Sequence, residues 1–304
     1  MDLTNAAARL APLKSLFAQE PVAAVRPVRP AGFRLLVTAV AFAAVTALAA
    51  GVRQVAGDNP VLSLLGGALV AGGALCAYAY AVRFLEQRPV AELDPARARP
   101  DLRAGTLTGL GLFAATFVLV VLCGGYGTEG GVSVGGALTV LGVMVGVAVT
   151  EELLFRGVLF RLVEELTGTR GALAVSAVLF GGLHLLNPEA TLWGALAIAV
   201  EGGLMLGAAY AATRTLWVPI GVHLGWNYAL SGILGVTVSG DDTGPRGLLR
   251  GTLTGPEALT GGAFGPEASI FAILVCSVPT VLFLRAAGRR GLVLPRGARS
   301  PERG

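Results

Sequence analysis

Two adjacent carboxylates, Glu151 and Glu152, interrupt an otherwise apolar stretch of this 304-residue chain. On a helix, Glu152 and Arg156 lie four residues apart on one face, close enough to form an ion pair that keeps Glu152 ionised. Glu151 is rotated by about 100° from Glu152 around such a helix and is free to face a cavity. There it could accept a proton from an ordered water molecule. Neighbouring carboxylates in different surroundings are typical of divided roles, one structural and one chemical.

The two histidines of the chain, His184 and His223, also lie within apolar stretches. Phe180 precedes His184 by four residues and Asn227 follows His223 by four, so each pair shares one face of a helix. Histidines accompanied by embedded carboxylates indicate chemistry rather than packing, because ionisable groups at membrane depth are costly and rare. His223 and Asn227 supply N–H donors, which in a water-poor site can stabilise a developing oxyanion. The set of residues predicts attack of water on a carbonyl, which is amide or ester hydrolysis inside a membrane.

The composition predicts that these residues are embedded in a bilayer. Hydrophobic residues make up 54% of the chain and charged residues 14%, whereas a soluble domain has about 25% charged residues. This balance excludes a soluble globule, a disordered chain and a nucleic-acid-binding module. Because lipid offers no partner for an unpaired backbone group, the predicted fold class is all-α, a polytopic membrane helical bundle with about eight transmembrane helices. The uncharged runs span residues 35–52, 61–82, 104–122, 132–150, 171–186, 191–213, 215–236 and 268–284.

Arginines between these runs predict how the chain is organised. They concentrate at both ends and in alternate connecting segments, so the positive-inside rule predicts a multi-pass protein of the cell membrane with both termini in the cytoplasm. We expect a cytoplasmic segment with a short interfacial helix over residues 1–34 and a basic cytoplasmic tail over 289–304. Between them we expect a transmembrane bundle over 35–288, with its catalytic core at 134–234. The segment 237–267 is rich in glycine, threonine and proline and is predicted to be a turn-rich loop, with a lid over a buried site as the alternative.

The depths of the candidate residues conflict if each run is treated as one span. Glu151 then ends the fourth run at the inner face, and His184 lies near the outer end of the fifth, more than about 15 Å away in depth. The residues after the two acids stay apolar. We therefore expect one long helix over 141–161, with the site in the inner half of the bilayer.

Together, these segments resemble the motifs of a known family. The pattern EExxxR, followed by FxxxH and HxxxN on later apolar segments, is similar to that of the type II CAAX protease and bacteriocin-processing (CPBP) family, whose members are intramembrane endopeptidases. The resemblance extends over about residues 134–234. Each motif is weak by itself, whereas three in order that use both histidines form a specific signal. The matching segments are EELLFR at 151–156, FGGLH at 180–184 and HLGWN at 223–227.

The resemblance implies a role for each of these residues. It implies that Glu151 and His184 activate the attacking water. It likewise implies that His223 and Asn227 stabilise the oxyanion. The residues that would support the site are Glu152, Arg156 and Phe180.

Two further polar residues lie outside the motifs. Some members of the family carry an additional asparagine four residues after the histidine of the second motif, where this chain has Pro188, with Asn187 one residue earlier. Glu201 lies inside another apolar run. We expect it to be a structural partner of Arg156 or Arg214, or a protonated acid, rather than a catalytic group.

A metal site is the alternative interpretation of the same residues. Glu151, His184 and His223 have the composition of a catalytic zinc site with two histidines and one carboxylate, in which water is the fourth ligand. The sequence contains no HExxH motif, and either arrangement would activate water. We expect a peptidase without a cofactor, with zinc as the alternative.

Two other functions are compatible with an embedded set of polar residues. One is a non-catalytic membrane immunity or scaffold protein that keeps the fold. The other is a proton-coupled transporter, because buried glutamate and histidine can form proton relays. The expected partners are membrane lipid and a membrane-associated peptide or protein substrate, and no nucleic acid.

Overall fold

A computed structural model describes residues 30–245 and 247–296 of the chain. The elements of its first half are α1 (Ala31–Ala56), α2 (Pro60–Ala81), α3 (Pro95–Leu122), β1 (Tyr126–Thr128), α4 (Val134–Glu152) and α5 (Arg161–Leu183). Those of its second half are α6 (Leu192–Ile198), α7 (Met205–Thr213), α8 (Trp217–Asn227), β2 (Gly251–Leu253), α9 (Glu257–Thr260) and α10 (Ile270–Arg289). The predicted interfacial helix near the N-terminus and the end of the basic tail lie outside the described residues.

Several helices widen into π-helical turns. These segments are Val82–Glu86 after α2, Leu153–Phe160 between α4 and α5, Ala199–Leu204 between α6 and α7, and Tyr228–Ile233 after α8. Three of them begin beside or contain Glu152, Glu201 or Asn227. Wide turns of this kind occur frequently at functional sites, because they change the direction in which side chains project from a helix.

Short polar side chains mark where the apolar helices begin. Each accepts a hydrogen bond from a backbone N–H of the first turn, and in α2 and α3 a proline follows, where its missing N–H costs nothing. The capping residues are Asn59, Asp94, Ser133, Thr191 and Ser269. The ends of the apolar runs are therefore set by local side-chain chemistry as well as by hydropathy.

The prediction of an all-α polytopic bundle is confirmed. Among the described residues, six helical segments are long and apolar enough to cross a membrane: Gly32–Ala56, Pro60–Glu86, Pro95–Leu122, Val134–Leu186, Leu192–Thr213 and Ile270–Arg289. The fourth of these contains two of the eight predicted runs. The predicted run at 215–236 is not among the six, because the 11-residue α8 and its 6-residue continuation form a shorter helix.

The long segment Val134–Leu186 turns back on itself at Gly168. The backbone there has φ 77° and ψ 174°, which lies outside the helical region and suits glycine. A Cβ atom at this position would lie 2.7 Å from the carbonyl oxygen of Leu294. Phe155 and Phe180 would be about 37 Å apart along a straight helix, yet their ring centroids are 4.8 Å apart. The expected continuous helix over 141–161 is confirmed, and the turn after it brings Phe180 back to the level of the carboxylates.

Helices α3 and α8 pack with their backbones in close contact through glycines on both sides. A Cβ atom at Gly109 would lie 2.8 Å from the backbone nitrogen of Trp226. On the facing helix, a Cβ atom at Gly221 would lie 2.8 Å from the backbone nitrogen of Thr106. Small residues allow this approach in a membrane, where close packing rather than the hydrophobic effect holds helices together. The contact fixes the position of α8, which carries His223 and Asn227.

A buried ionic cluster joins α2, the segment after it and α5. Arg161 donates two hydrogen bonds to Glu86, both of 2.6 Å, and Arg88 donates two to Glu92, of 2.8 and 2.7 Å. Tyr78 donates to Glu92 as well. Burial opposes ionisation of Glu92, but Arg88, Arg161 and the Tyr78 hydroxyl together hold the pKa of that carboxyl below its ordinary value. Buried charges that are paired and hydrogen-bonded in this way are costly to separate.

Candidate active site

A cavity of about 360 Å³ lies between α4, α5, the segment joining α6 to α7, and α8. The four residues that the sequence singles out for chemistry all line it, namely Glu151, His184, His223 and Asn227. Phe180 also lines the cavity, whereas Glu152 and Arg156 lie behind its wall with no exposed surface. The fold thus brings together residues from three helices that are far apart in sequence.

Glu151 and Glu152 occupy different surroundings, as predicted. The side chain of Glu151 is one-third exposed and faces the cavity, and its Oε2 lies 4.0 Å from Nε2 of His223. Glu152 is fully buried, and its Oε1 accepts a hydrogen bond of 2.7 Å from Nη1 of Arg156. The predicted ion pair is confirmed. Arg156 also donates to the carbonyl oxygen of Gly202 at 2.6 Å, so it ties α4 to the segment that follows α6.

His223 is oriented by Glu152, a contact that sequence reasoning missed. The distance from Nδ1 of His223 to Oε1 of Glu152 is 2.9 Å. Because a carboxylate only accepts, this contact places a hydrogen on Nδ1 and leaves Nε2 facing the cavity. Nothing in the spacing of the two motifs reveals this pairing, since the two residues are 71 positions apart.

His184 is held in the opposite wall by its own helix. Its Nδ1 lies 2.7 Å from the carbonyl oxygen of Phe180, and a carbonyl oxygen can only accept, so Nδ1 carries the hydrogen and Nε2 is left as an acceptor. The ring of Phe180 lies 5.0 Å from that of His184 and 6.2 Å from that of His223. The guanidinium of Arg156 lies 4.6 Å from the Phe180 ring centroid. The Phe180 ring therefore separates the two imidazoles and shields the buried ion pair from the cavity.

Several described residues of the segment 237–267 line the cavity, and the sequence offered a cover over a buried site as an alternative for this segment but did not single out Glu267. Glu267, at its end, is buried and lines the cavity. It accepts hydrogen bonds from the backbone N–H and hydroxyl of Ser239, of 2.5 and 3.0 Å, and one of 3.1 Å from the indole of Trp226. Burial raises the pKa of the Glu267 carboxyl, although these hydrogen bonds favour its ionised form. The expected turn-rich loop also contains β2, which pairs antiparallel with β1.

Asn187 is a second cavity residue outside the three motifs. It lines the cavity, and its side-chain amide donates a hydrogen bond of 2.7 Å to the carbonyl oxygen of Ser239. At the position where some family members have asparagine, this chain has Pro188, which is exposed. The polar side chain one residue earlier thus fastens the covering loop to the turn that carries His184.

The prediction that Glu201 pairs with Arg156 or Arg214 was wrong. Arg156 pairs with Glu152, and Arg214 donates two hydrogen bonds to Glu164, of 2.6 and 2.9 Å. Glu201 is buried and lines the cavity, and neither of its carboxylate oxygens has a hydrogen-bond partner among the described residues.

The alternative zinc site would use Glu151, His184 and His223 as its protein ligands. No group of three or more histidine, cysteine, aspartate and glutamate side chains is placed to hold a metal ion within residues 30–245 and 247–296. We therefore derive no step through a metal from these residues.

A helical bundle with these polar residues around an internal cavity defines a polytopic membrane protein with an embedded site. Residues 133–229 match the family model described as Rce1-like, type II CAAX prenyl endopeptidase Rce1-like. Over these residues the chain is similar to the type II CAAX prenyl endopeptidases. The match begins at Ser133, the N-terminal cap of α4, and ends just after Asn227, so it includes all three motifs. No curated protein and no solved structure matches the chain.

Proposed function

We propose that this protein is an intramembrane endopeptidase that hydrolyses a peptide bond with a water molecule activated by Glu151 and His184. The observation that carries the proposal is the convergence of these two residues with His223 and Asn227 on one cavity inside the bundle. The match of residues 133–229 to the Rce1-like endopeptidase family supports the same reaction class. The site residues act without a cofactor in this proposal.

Water activation uses Glu151 and His184, which both face the cavity with an acceptor atom available. Glu151 presents a partly exposed carboxylate, and His184 presents Nε2 because its Nδ1 is held by Phe180. A water molecule between them loses a proton to Glu151 as its oxygen attacks the substrate carbonyl carbon. The product of this step is a tetrahedral intermediate with a negative oxygen.

The oxyanion is stabilised by His223 and the Asn227 amide. In the protonated form of His223, Nδ1–H donates to Glu152 while Nε2–H points to the cavity and donates to the oxyanion. Because Glu151 holds the proton at this stage, the Glu152 carboxylate and the oxyanion balance the positive charges of Arg156 and this imidazolium. When the intermediate collapses, the C–N bond breaks and the proton held by Glu151 passes to the leaving amine.

A second cavity supports a substrate that comes from the membrane. This groove of about 260 Å³ lies between α1, α2 and α4, and its lining is mainly alanine, glycine and valine. It shares Thr46, Arg53, Val143, Val147 and Glu151 with the main cavity. An apolar peptide segment in the bilayer could therefore enter laterally through this groove and reach the Glu151 carboxylate. The arginine distribution supports cytoplasmic termini in the cell membrane, which we retain as part of the proposal.

The proposal is tested by peptide cleavage in proteoliposomes that contain the purified protein. Glu151→Gln and His184→Ala should each lower the cleavage rate of a membrane peptide library by at least about 100-fold, because each removes a group that activates water. Glu257→Gln, at an exposed glutamate on α9, is the matched control and should cleave as the wild type does. Wild-type cleavage by Glu151→Gln would contradict the proposal. Complementation of a deletion phenotype by that variant would favour a non-catalytic immunity or scaffold role instead.

A further inference from the structure

Glu201 is a buried carboxylate that the proposed mechanism does not use. Its side chain is on the π-helical segment between α6 and α7, the residue is 3% exposed, and it lines the main cavity. Neither carboxylate oxygen has a hydrogen-bond partner in the part of the chain that the structure describes. An unpaired polar group in such surroundings lowers stability, and a charged one lowers it more. A group retained at this cost in a cavity wall is suited to a partner that arrives from outside the chain.

No positively charged side chain among the described residues is hydrogen-bonded to Glu201. Arg156 and Arg214 are engaged by Glu152 and Glu164. The neighbouring Glu267 interacts with Glu201 electrostatically as a like charge. In its ionised form Glu267 has no hydrogen to donate, and its oxygens accept from the Ser239 N–H and hydroxyl and from Trp226.

The charges that line the cavity are unevenly distributed. The acidic residues in its wall are Glu151, Asp241, Glu201 and Glu267. Among the described residues of that wall, Arg53 is the one with a permanent positive charge, and it lies on α1, where it contacts Asp241 at 3.8 Å and donates to the carbonyl oxygen of Thr243 at 2.6 Å. The part of the cavity at Glu201 is therefore acidic and unbalanced.

We propose that Glu201, with Glu267 beside it, forms a subsite for an ammonium or guanidinium group of the peptide substrate. The inference rests on the proposed function in identifying the ligand as a peptide. A lysine or arginine side chain would donate charge-assisted hydrogen bonds to the two oxygens that lack partners. Glu267 is held in place by Ser239 and Trp226, so it adds negative potential without moving. The subsite would make the enzyme prefer a basic residue at one position near the scissile bond.

The substitution Glu201→Gln isolates this role. It removes the charge and keeps the shape, and it breaks no hydrogen bond of the described structure, because Glu201 makes none. The variant should therefore fold at least as well as the wild type. Glu257→Gln is again the matched control: Glu257 lies in the same local sequence, Gly-Pro-Glu-Ala, as Glu267, but it is exposed.

The first arm of the test compares peptides with lysine or norleucine at each position around the scissile bond. Norleucine has an unbranched side chain like that of lysine but lacks its ammonium group. The wild type should cleave the lysine peptide better at one position by about tenfold or more, the ratio expected for a hydrogen bond to a charged group. In Glu201→Gln the ratio should fall to about one, and in Glu257→Gln it should stay as in the wild type. An unchanged ratio in Glu201→Gln would overturn the inference.

The second arm does not depend on cleavage. Millimolar n-butylammonium chloride should raise the thermal unfolding temperature of the detergent-solubilised wild type more than 1-butanol does, and Glu201→Gln should lose this difference. Inactive Glu151→Gln should keep it. If no peptide is cleaved but the amine effect depends on Glu201, the proposed function fails and the subsite stands. If peptides are cleaved but wild type and Glu201→Gln respond alike in both arms, the subsite fails and the proposed function stands.

Discussion

Adjacent residues of this chain meet different surroundings because a helix projects them in different directions. Glu151 reaches the cavity, whereas Glu152 is buried between Arg156 and His223. The two carboxylates are chemically identical, so the difference between them arises from hydration and from partners. Removing either should inactivate the enzyme, but for different reasons.

Alanine substitutions of this pair separate the two roles. Glu152→Ala leaves Arg156 buried without its ion-pair partner, which should lower the free energy of unfolding by about 3 kcal/mol or more. Glu151→Ala removes a partly exposed carboxylate and should change stability by no more than about 0.5 kcal/mol. Both variants should lose peptide cleavage, and thermal or denaturant unfolding in detergent measures the difference. Equal stability of the two variants would show that Glu152 is not the structural member of the pair.

The same short sequence can also acquire different roles. Gly-Pro-Glu-Ala occurs at 255–258 and at 265–268. In the first copy Glu257 is exposed on α9, and in the second Glu267 is buried against the cavity. Local sequence does not distinguish them. The position of Glu267 depends on hydrogen bonds from Trp226 and Ser239, which come from other parts of the chain.

Among the helices, the contact between α3 and α8 determines where the third motif lies. His223 and Asn227 face the cavity, and the opposite face of α8 rests on the backbone of α3 through Gly221 and Gly225. A backbone–backbone contact cannot relax as a flexible side chain can. An added methyl group there has to displace α8 and the two residues that it carries.

Two glycines of α3 provide a matched test of this packing. Gly109→Ala places a methyl group against the backbone of α8, and we expect a loss of about 2 kcal/mol or more in the free energy of unfolding, with reduced cleavage. A Cβ atom at Gly111, two residues away on the same helix, meets no atom within 4 Å. Gly111→Ala should therefore keep wild-type stability to within about 1 kcal/mol, the helix propensity difference. Similar losses in both variants would argue against the close contact.

At the scale of the whole molecule, the bundle is tied together outside the site by the ionic cluster around Glu86 and Glu92. Arg161 begins α5, Glu86 ends the π-helical extension of α2, and the backbone carbonyl of Glu92 accepts a hydrogen bond of 2.9 Å from the N–H of Leu216 ahead of α8. The cluster thus joins the end of α2 to α5, which runs between the first two motifs, and to the start of α8, which carries the third. Its charges are buried, so its stability depends on protonation.

The pKa of Glu92 predicts a dependence of stability on pH. Because this pKa is lowered in the folded protein, the ionised carboxylate stabilises the fold above its ordinary value of 4.5, and the contribution is lost as pH falls through the lowered value. Glu92→Gln should lower the free energy of unfolding by about 3 kcal/mol at pH 7. The difference from the wild type should shrink progressively below about pH 4. A difference that stays constant between pH 7 and pH 3 in denaturant titrations would contradict this prediction, and Glu257→Gln should show no such trend.

The sequence by itself determined the class of structure and the set of candidate residues. Apolar runs of bilayer length can satisfy their backbone only as helices, and a charged group inside such a run is too costly to be incidental. The spacing of four residues placed each motif on one helix face, which predicted the Glu152–Arg156 pair. These are local effects, and local effects can be read from neighbouring residues.

The tertiary structure alone decided which groups meet. The turn at Gly168, the glycine contact between α3 and α8, and the covering loop bring His184, His223 and Glu267 to one cavity from positions far apart in the chain. The expected pairing of Glu201 with Arg156 or Arg214 was wrong because Glu152 pairs with Arg156 and Glu164 pairs with Arg214. Partner choice depends on packing between helices, and no periodicity along a single helix encodes it.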